Sequence, residues 1–360
     1  MAEFVLNGIR IAGVSVAVPH NKVETTSFYG KFGKEVVDKF IEMTGVKSSY
    51  RTTEEQTASD LCFVAADNLI KTKKIERNDI GAIVFISQTP DYRLPATACV
   101  LHKRLGLDKK CMAFDVDLGC SGWVYGLNIV GALMQTSDID KALLLFGDTC
   151  IKTASPEDKS LIMLFGEGGS ATLLVKEPGN DIKGELLTDG EGFKAIIMPS
   201  GAFRNRNGQR ERIVQPDGTI RSDYDGYMNG TDVFSFTITQ VPKLIKEFIR
   251  KNDLELEKID ALVLHQANLY VMQQIAKKIK LPMNKIPVSI DRFGNTSGTS
   301  IPLTLCDKYG QDNNTKLSLL MCGYGIGLSW GVVEAKINSE DILPIVYTDD
   351  YYTEGGLSFD

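Results

Sequence analysis

Short apolar runs recur along the chain, and they are nearly continuous rather than alternating. They are IGAIVFISQ (80–88), CMAFDVDL (111–118), KALLLFGDT (141–149), GSATLLVK (169–176), IDALVLHQ (259–266) and LSLLMCGYG (317–325). Strands covered on both faces read this way. Between them, residues 58–73, 120–136, 237–251 and 268–279 carry helical periodicity. This alternation predicts an α/β protein with largely parallel sheets. Two stretches resemble each other: IERNDIGAIVFISQTP (75–90) and LEKIDALVLHQAN (256–268). Each runs from a charged helix end through an aspartate into an apolar strand with a polar tip. The pattern predicts two similar halves, 1–177 and 178–337. A polar stretch rich in Gly, Asn and Arg (200–230) reads as a long surface excursion. The last 23 residues, 338–360, are acidic and aromatic and read as an appended tail.

Composition narrows the function. Of the 360 residues, 43% are hydrophobic and 24% charged, as in ordinary globular proteins. No apolar run has the length of a membrane span, and the N-terminus lacks the pattern of a secretory signal. A cytoplasmic protein without membrane insertion is expected. Seven cysteines lie far apart with no C-x-x-C pair, and there are three histidines, so no metal site is expected. A net charge of −6 argues against general nucleic-acid binding.

The chemistry centres on DVDLGCSGWVYGL (115–127). Cys120 sits between glycines where a strand gives way to a helix that is apolar on all sides. The helix N-terminus would favour a thiolate there. The same pattern also suits a buried cysteine in a tight turn. His265 lies at the polar tip of IDALVL, the best placed of the three histidines for a site. Asn295 lies in a Gly-Asn-Thr-Ser-Gly turn before a helix. The glycine-rich CGYGIGLSWG (322–331) reads as a turn between two strands whose backbone N–H groups suit an oxyanion.

Taken together, TGVKSSYR, DLGCSGWVYGL, LFGEGGSATLL, LHQANLY, FGNTSGTSIP and GYGIGLSWG resemble the β-ketoacyl-acyl-carrier-protein synthase III family of the thiolase-like superfamily, over about residues 1–337. The resemblance implies a five-layer αβαβα fold of two similar halves and a homodimer. It implies a decarboxylative Claisen condensation with no permanently bound cofactor. Acyl-CoA or acyl-carrier and malonyl-carrier thioesters are the implied substrates. Cys120 would accept the acyl group, and His265 and Asn295 would stabilise the enolate formed as carbon dioxide leaves. The backbone N–H groups of Cys120 and Tyr324 would hold the oxyanion. Leu94 and Cys322 match acyl-pocket positions, and Lys277 and Lys278 match positions that dock the carrier protein.

The chain departs from the family at the nucleotide grip. Lys39, Met43, Lys159 and Tyr270 stand where the family holds the CoA adenine with tryptophan and arginine. Lysine does not reproduce arginine's planar stacking. Carrier-borne donors are therefore expected to outperform CoA donors. Cys322 stands where the family usually has phenylalanine, which leaves thiolase-like or non-decarboxylative acyl transfer as an alternative. A non-catalytic scaffold homologue is the remaining one.

Overall fold

A computed structural model of the chain describes residues 2–312 and 314–353. The strands of the nine-stranded main sheet are β1 (Ala2–Pro19), β2 (Ile80–Ile86), β3 (Met112–Val116), β4 (Lys141–Asp148), β5 (Gly168–Thr188), β6 (Ala261–Leu264), β7 (Lys316–Gly325), β8 (Ser329–Asn338) and β9 (Val346–Thr348). The principal helices are α1 (Lys34–Thr44), α2 (Ala58–Thr72), α3 (Thr97–Arg104), α4 (Gly122–Gln135), α5 (Lys159–Ile162), α6 (Gly230–Lys251), α7 (Leu269–Ile279) and α8 (Ser300–Tyr309).

β1 and β5 run antiparallel along their length, with irregular register between Asn7 and Ile9. They are shared by two groups of strands. In one, β5 pairs antiparallel with β4, β4 parallel with β2, and β2 parallel with β3. In the other, β5 pairs antiparallel with β8, β8 antiparallel with β7, and β7 parallel with β6. The parallel pair β2–β4 thus has a counterpart in β6–β7, and the antiparallel neighbour β5 has one in β8. β1 is longer than any apolar run singled out in the sequence. It emerges because β5 supplies a partner for nearly all of it.

Side-chain alternation sorts the strands into layers. Ile83, Phe85, Leu143 and Leu145 pack with Leu61, Leu69 and Leu101 of α2 and α3. Val84, Ile86, Leu144 and Phe146 point the other way, onto Trp123 and Leu127 of α4. Val263, Leu319 and Met321 of the second group join the same cluster, as do Ile301 and Leu305 of α8. Leu262, Leu264 and Leu320 face Val241, Ile245, Met272 and Ile275 of α6 and α7. The order is helices, sheet, helices, sheet, helices: the five-layer αβαβα arrangement. α4 lies in the middle layer, which explains why its sequence is apolar all round. Its close approach needs glycine: a Cβ on Gly122 would lie 2.5 Å from the Phe146 ring.

The polar excursion is largely irregular, with short paired segments at Ile213–Val214 and Ile220–Arg221. It is anchored by Arg212, which grips buried Asp225 with two bonds of 2.9 and 2.8 Å. The tail contributes β9, which pairs parallel with the end of β1. Gln56 holds the tail by donating to the carbonyls of Thr348 and Asp350. Residues 354–360 of the tail lie outside the described residues. Among the described residues, no helix is long and apolar enough to cross a membrane.

Candidate active site

The tips of β2, β4, β6 and β7 and the starts of α4 and α8 surround a cavity of about 190 Å³. Cys120, His265 and Asn295 all line it, although they come from three separate segments.

Cys120 precedes Ser121, the N-cap of α4, so the helix begins two residues later than its periodicity predicts. The thiol is pressed against the β7 turn: a Cβ on Gly325 would lie 2.7 Å from the Cys120 Cβ and 3.0 Å from its Sγ. Gly325 also has φ +156, so glycine is required there on both counts. The resting thiolate expected from the helix end is not found. Burial, with the nearby Asp148 carboxylate, pushes the Cys120 thiol up to about 11. The backbone N–H groups of Ile326 and Cys120 and the Ser297 hydroxyl oppose this without reversing it. Desolvation and a like charge outweigh the helix end here, and Cys120 rests as a thiol.

His265 is held from four sides. Its N–H donates to the Cys322 carbonyl at 2.8 Å. Its own carbonyl accepts from the Tyr324 hydroxyl at 2.9 Å. The Tyr324 ring stands edge-on to the imidazole, with centroids 5.3 Å apart. Nδ1 lies 2.7 Å from the Ser300 hydroxyl, at the first residue of α8. That hydroxyl also accepts from the Gln266 N–H at 3.3 Å, so its own proton is available to Nδ1. Ser300 thus engages Nδ1, and the Ser297 backbone acts on the ring as well. Burial lowers the His265 pKa to about 4, so the ring is neutral near pH 7.

Asn295 is fixed by its backbone: its N–H donates to the Leu164 carbonyl at 2.9 Å, and its carbonyl accepts from Gly166 at 3.0 Å. Its Oδ1 accepts the Ser297 N–H at 3.0 Å. The bond is made possible by Ser297, which has φ +53. With the side-chain oxygen engaged, the Nδ2 hydrogens face away from that bond.

The other expected positions divide. Tyr324 lines the cavity, with its phenol spent on His265, whereas the N–H groups acting on the Cys120 sulfur are those of Ile326 and of Cys120 itself. Leu94 does not line the cavity and is 80% exposed on a surface loop. Cys322 is fully buried in the α6–α7 cluster and does not line it either. The acyl-pocket position carried over by resemblance to Cys322 is thus corrected for this chain. The apolar wall is built by Leu161, Leu164, Phe165, Ile196 and Met228, together with Cys150. These residues sit on short or irregular segments, where no periodicity marks them. Met228 shows that the end of the excursion returns to the site.

Lys39 and Met43 lie on the exposed side of α1 and Lys159 at the start of α5; Val37 of α1 packs on Ile162 and Met163. Tyr270 is half-exposed and stacks on Phe234, centroids 5.9 Å apart. Phe234 in turn lines the cavity. Lys277 and Lys278 are exposed on the last turn of α7. Lys278 donates to the Ile238 carbonyl of α6 at 2.7 Å. Lys243 and Lys246 of α6 share a surface hollow with Lys278, which extends the basic face beyond the pair found in the sequence. No cluster fit to hold a metal ion occurs among the described residues.

Comparison with known proteins agrees with this architecture. Residues 114–190 match the family model described as 3-oxoacyl-[acyl-carrier-protein] synthase III, and residues 249–337 match the model of its C-terminal part. A β-ketoacyl-[acyl-carrier-protein] synthase III of Clostridium perfringens is 30% identical over 336 residues, 92% of this chain and 100% of that protein. One from Aliivibrio fischeri is 32% identical over 297 residues, 81% of this chain and 88% of that protein. The crystal structure of a 3-oxoacyl-(acyl-carrier protein) synthase from Burkholderia xenovorans LB400 superposes with a TM-score of 0.90 at 34% identity, covering 96% of this chain and 99% of that one. On sequence and fold alike, the chain belongs to the 3-oxoacyl-acyl-carrier-protein synthase III family and is a condensing acyltransferase of that type.

Proposed function

We propose that the enzyme performs a decarboxylative Claisen condensation through an acyl-Cys120 intermediate. Cys120 attacks the carbonyl of an acyl thioester, and the donor thiol leaves. A malonyl thioester on acyl carrier protein then enters the cavity. The Nε2–H of His265 and the Nδ2 hydrogens of Asn295 hold its thioester oxygen as carbon dioxide departs and negative charge gathers there. The carbanion attacks the acyl-enzyme, whose oxyanion rests on the N–H groups of Cys120 and Ile326, the latter in place of the Tyr324 N–H that the resemblance implies. Donors of this kind are worth about 3–4 kcal/mol apiece when fixed in advance.

The observation carrying this reading is the convergence of Cys120, His265 and Asn295 on one cavity, with the imidazole neutral and the Asn295 oxygen already engaged. Lys277 and Lys278 dock the acidic carrier protein. The altered rim at Lys39, Met43, Lys159 and Tyr270 favours carrier-borne donors over CoA. We further assign 1–177 and 178–337 as two similar halves with a 338–360 tail. The matching strand pairings support this, and so does the irregularity of β5 between Lys176 and Asp181. Exposed Leu94 fits a loop covered by a second copy in a cytoplasmic homodimer.

The test is intact mass after incubation with a panel of acyl-CoA and acyl-carrier thioesters, followed by malonyl-carrier and measurement of carbon dioxide. Cys120 takes the acyl group, and Cys120→Ser abolishes condensation. An acyl group mapped to Cys322 or Cys150 contradicts the assignment.

A further inference from the structure

Ser121 follows the nucleophile and is the N-cap of α4, yet its side chain makes no capping bond. A serine at this position ordinarily accepts from the N–H two or three residues on, which satisfies an unpaired donor of the helix. This one is buried and lies instead 2.6 Å from the hydroxyl of Ser329, the first residue of β8. Ser329 is buried too, and its Oγ lies 2.7 Å from the Ile326 carbonyl. The direction of the bonds follows. A carbonyl only accepts, so the proton of Ser329 goes to Ile326, and Ser121 donates to the Ser329 oxygen. Two buried hydroxyls thus run in series from the residue beside Cys120 to the turn between β7 and β8. Packing alone does not ask for them, because two apolar groups of similar shape would fill the space at little cost.

The series ends where the oxyanion donors meet. Cys120 brings one N–H from the start of α4, and Ile326 brings the other from the turn. Both residues line the cavity. The turn and the helix start are in close contact: a Cβ on Gly119 would lie 2.5 Å from the Ile326 Cγ2, and one on Gly323 would lie 3.0 Å from the Ser121 Cα. The far side of the turn is held separately. The Leu328 N–H donates to the Asp189 carbonyl at 3.1 Å, and the Asp189 N–H donates to the Leu328 carbonyl at 2.9 Å. Those bonds fix the turn to the end of β5, not to the nucleophile. Ser329 ties the Ile326 carbonyl to α4, and with that carbonyl held, the Ile326 N–H on the other side of the same residue has little freedom to swing away from the sulfur.

We propose that the Ser121 and Ser329 hydroxyls are positioning residues for acyl transfer, setting the Ile326 N–H at a fixed place relative to the Cys120 N–H. This rests on the acyl-enzyme reading. As Cys120 attacks a thioester, negative charge gathers on the carbonyl oxygen, and it is released as the bond to the donor sulfur breaks. Two donors held in advance stabilise that oxygen without moving, whereas a turn free to shift must first be brought into place. The enolate oxygen of the malonyl thioester is served by His265 and Asn295, on other segments, so the paired serines bear on acyl transfer and leave decarboxylation alone.

The test measures Cys120 charging by an acyl-carrier thioester, read by intact mass over a range of donor concentrations, alongside carbon dioxide release from malonyl-carrier. Ser329→Ala slows charging at saturating donor by about 30-fold and Ser121→Ala by about tenfold, with the half-saturating concentration unchanged. Carbon dioxide release changes little in either. Ser329→Thr, which keeps the hydroxyl, restores most of the charging rate. The double variant, Ser121→Ala with Ser329→Ala, loses no more than Ser329→Ala alone, because the hydroxyls act in series. Ser121→Ala, whose side chain makes no capping bond, decides the matter should Ser329→Ala fail to fold. Equal loss of charging and carbon dioxide release, or losses that multiply in the double variant, makes the serines ordinary packing residues and overturns the inference. Wild-type charging by both single variants overturns it as well. Failure of the wild type to take any acyl group at Cys120 overturns the acyl-enzyme reading as a whole.

Discussion

The two strand tips that meet at the cavity occupy equivalent places in their sheets and carry opposite chemistry. Beyond β2, the donors of Ser87, Gln88 and Thr89 converge on a buried carboxylate, Asp148. Beyond β6, His265 is neutral and faces a hydroxyl, that of Ser300. The helices that start beside these tips differ in step: α4 is preceded by the thiol of Cys120, and α8 begins with Ser300. The first half thus concentrates the nucleophile, which burial and a nearby negative charge keep protonated at rest. The second half supplies uncharged donors that suit charge appearing on a substrate oxygen. On the proposed mechanism, a site divided this way separates acyl loading from enolate formation, so that each can be disturbed alone.

The largest expected effect that sharpens this contrast is on stability against pH, where the two halves act in opposite directions. His265 has a pKa lowered to about 4, below its unfolded value. Its contribution is present above about pH 6.5 and is lost as pH falls toward 4, by about 3 kcal/mol. A His265→Asn variant therefore gains on the wild type over that range. Asp148 has a pKa raised to about 6. Its contribution is present below its unfolded value and is lost as pH rises through about 6. Asp148→Asn therefore gains on the wild type in the opposite direction, toward alkaline pH. Unfolding midpoints in urea across pH 4–8 give both signs; a common sign for the two variants breaks the comparison.

Next in size is donor choice. Loss of the family's stacking pair at Lys39 and Met43 costs a CoA thioester about tenfold in charging Cys120 relative to the same acyl group on the carrier. Equal charging by both would show that the Tyr270–Phe234 stack, or another part of the rim, replaces the missing grip. Ser300→Ala removes the hydroxyl that holds His265 Nδ1. Carbon dioxide release should fall about tenfold, while Cys120 charging changes little. The smallest effect belongs to the surface: Lys277→Glu with Lys278→Glu weakens carrier-dependent turnover a few-fold at low salt, and the difference shrinks as salt is added.

The sequence was most legible where chemistry and burial coincide. Buried strands are continuous apolar runs, so β2, β4, β6 and β7 stand out, and the polar tips that follow them draw attention to His265. Cys120 and Asn295 have glycines nearby because other groups come close, the Gln88 and Ile326 side chains at Gly119 and the Leu164 carbonyl at Gly294, and that too is visible. The acyl wall was not legible. Cys150, Ile196 and Met228 come from segments with no periodicity, and Met228 faces the cavity because the excursion folds back, pairing with Ile196 while the Gly226 N–H donates to the Thr153 carbonyl at 2.7 Å. Cys322 entered by resemblance alone, and its burial in this chain points it elsewhere. The state of the thiol was equally hidden. A helix start is a local feature, whereas Asp148 reaches Cys120 only through the pairing of β2 with both β3 and β4.

The division of labour between the halves is tested most directly by measuring both half-reactions in His265→Ala and Asn295→Ala: acyl transfer to Cys120 by intact mass, and carbon dioxide release from malonyl-carrier. The account predicts that decarboxylation falls by about 100-fold or more in each variant, while acyl transfer to Cys120 persists. Equal loss of both half-reactions would contradict it.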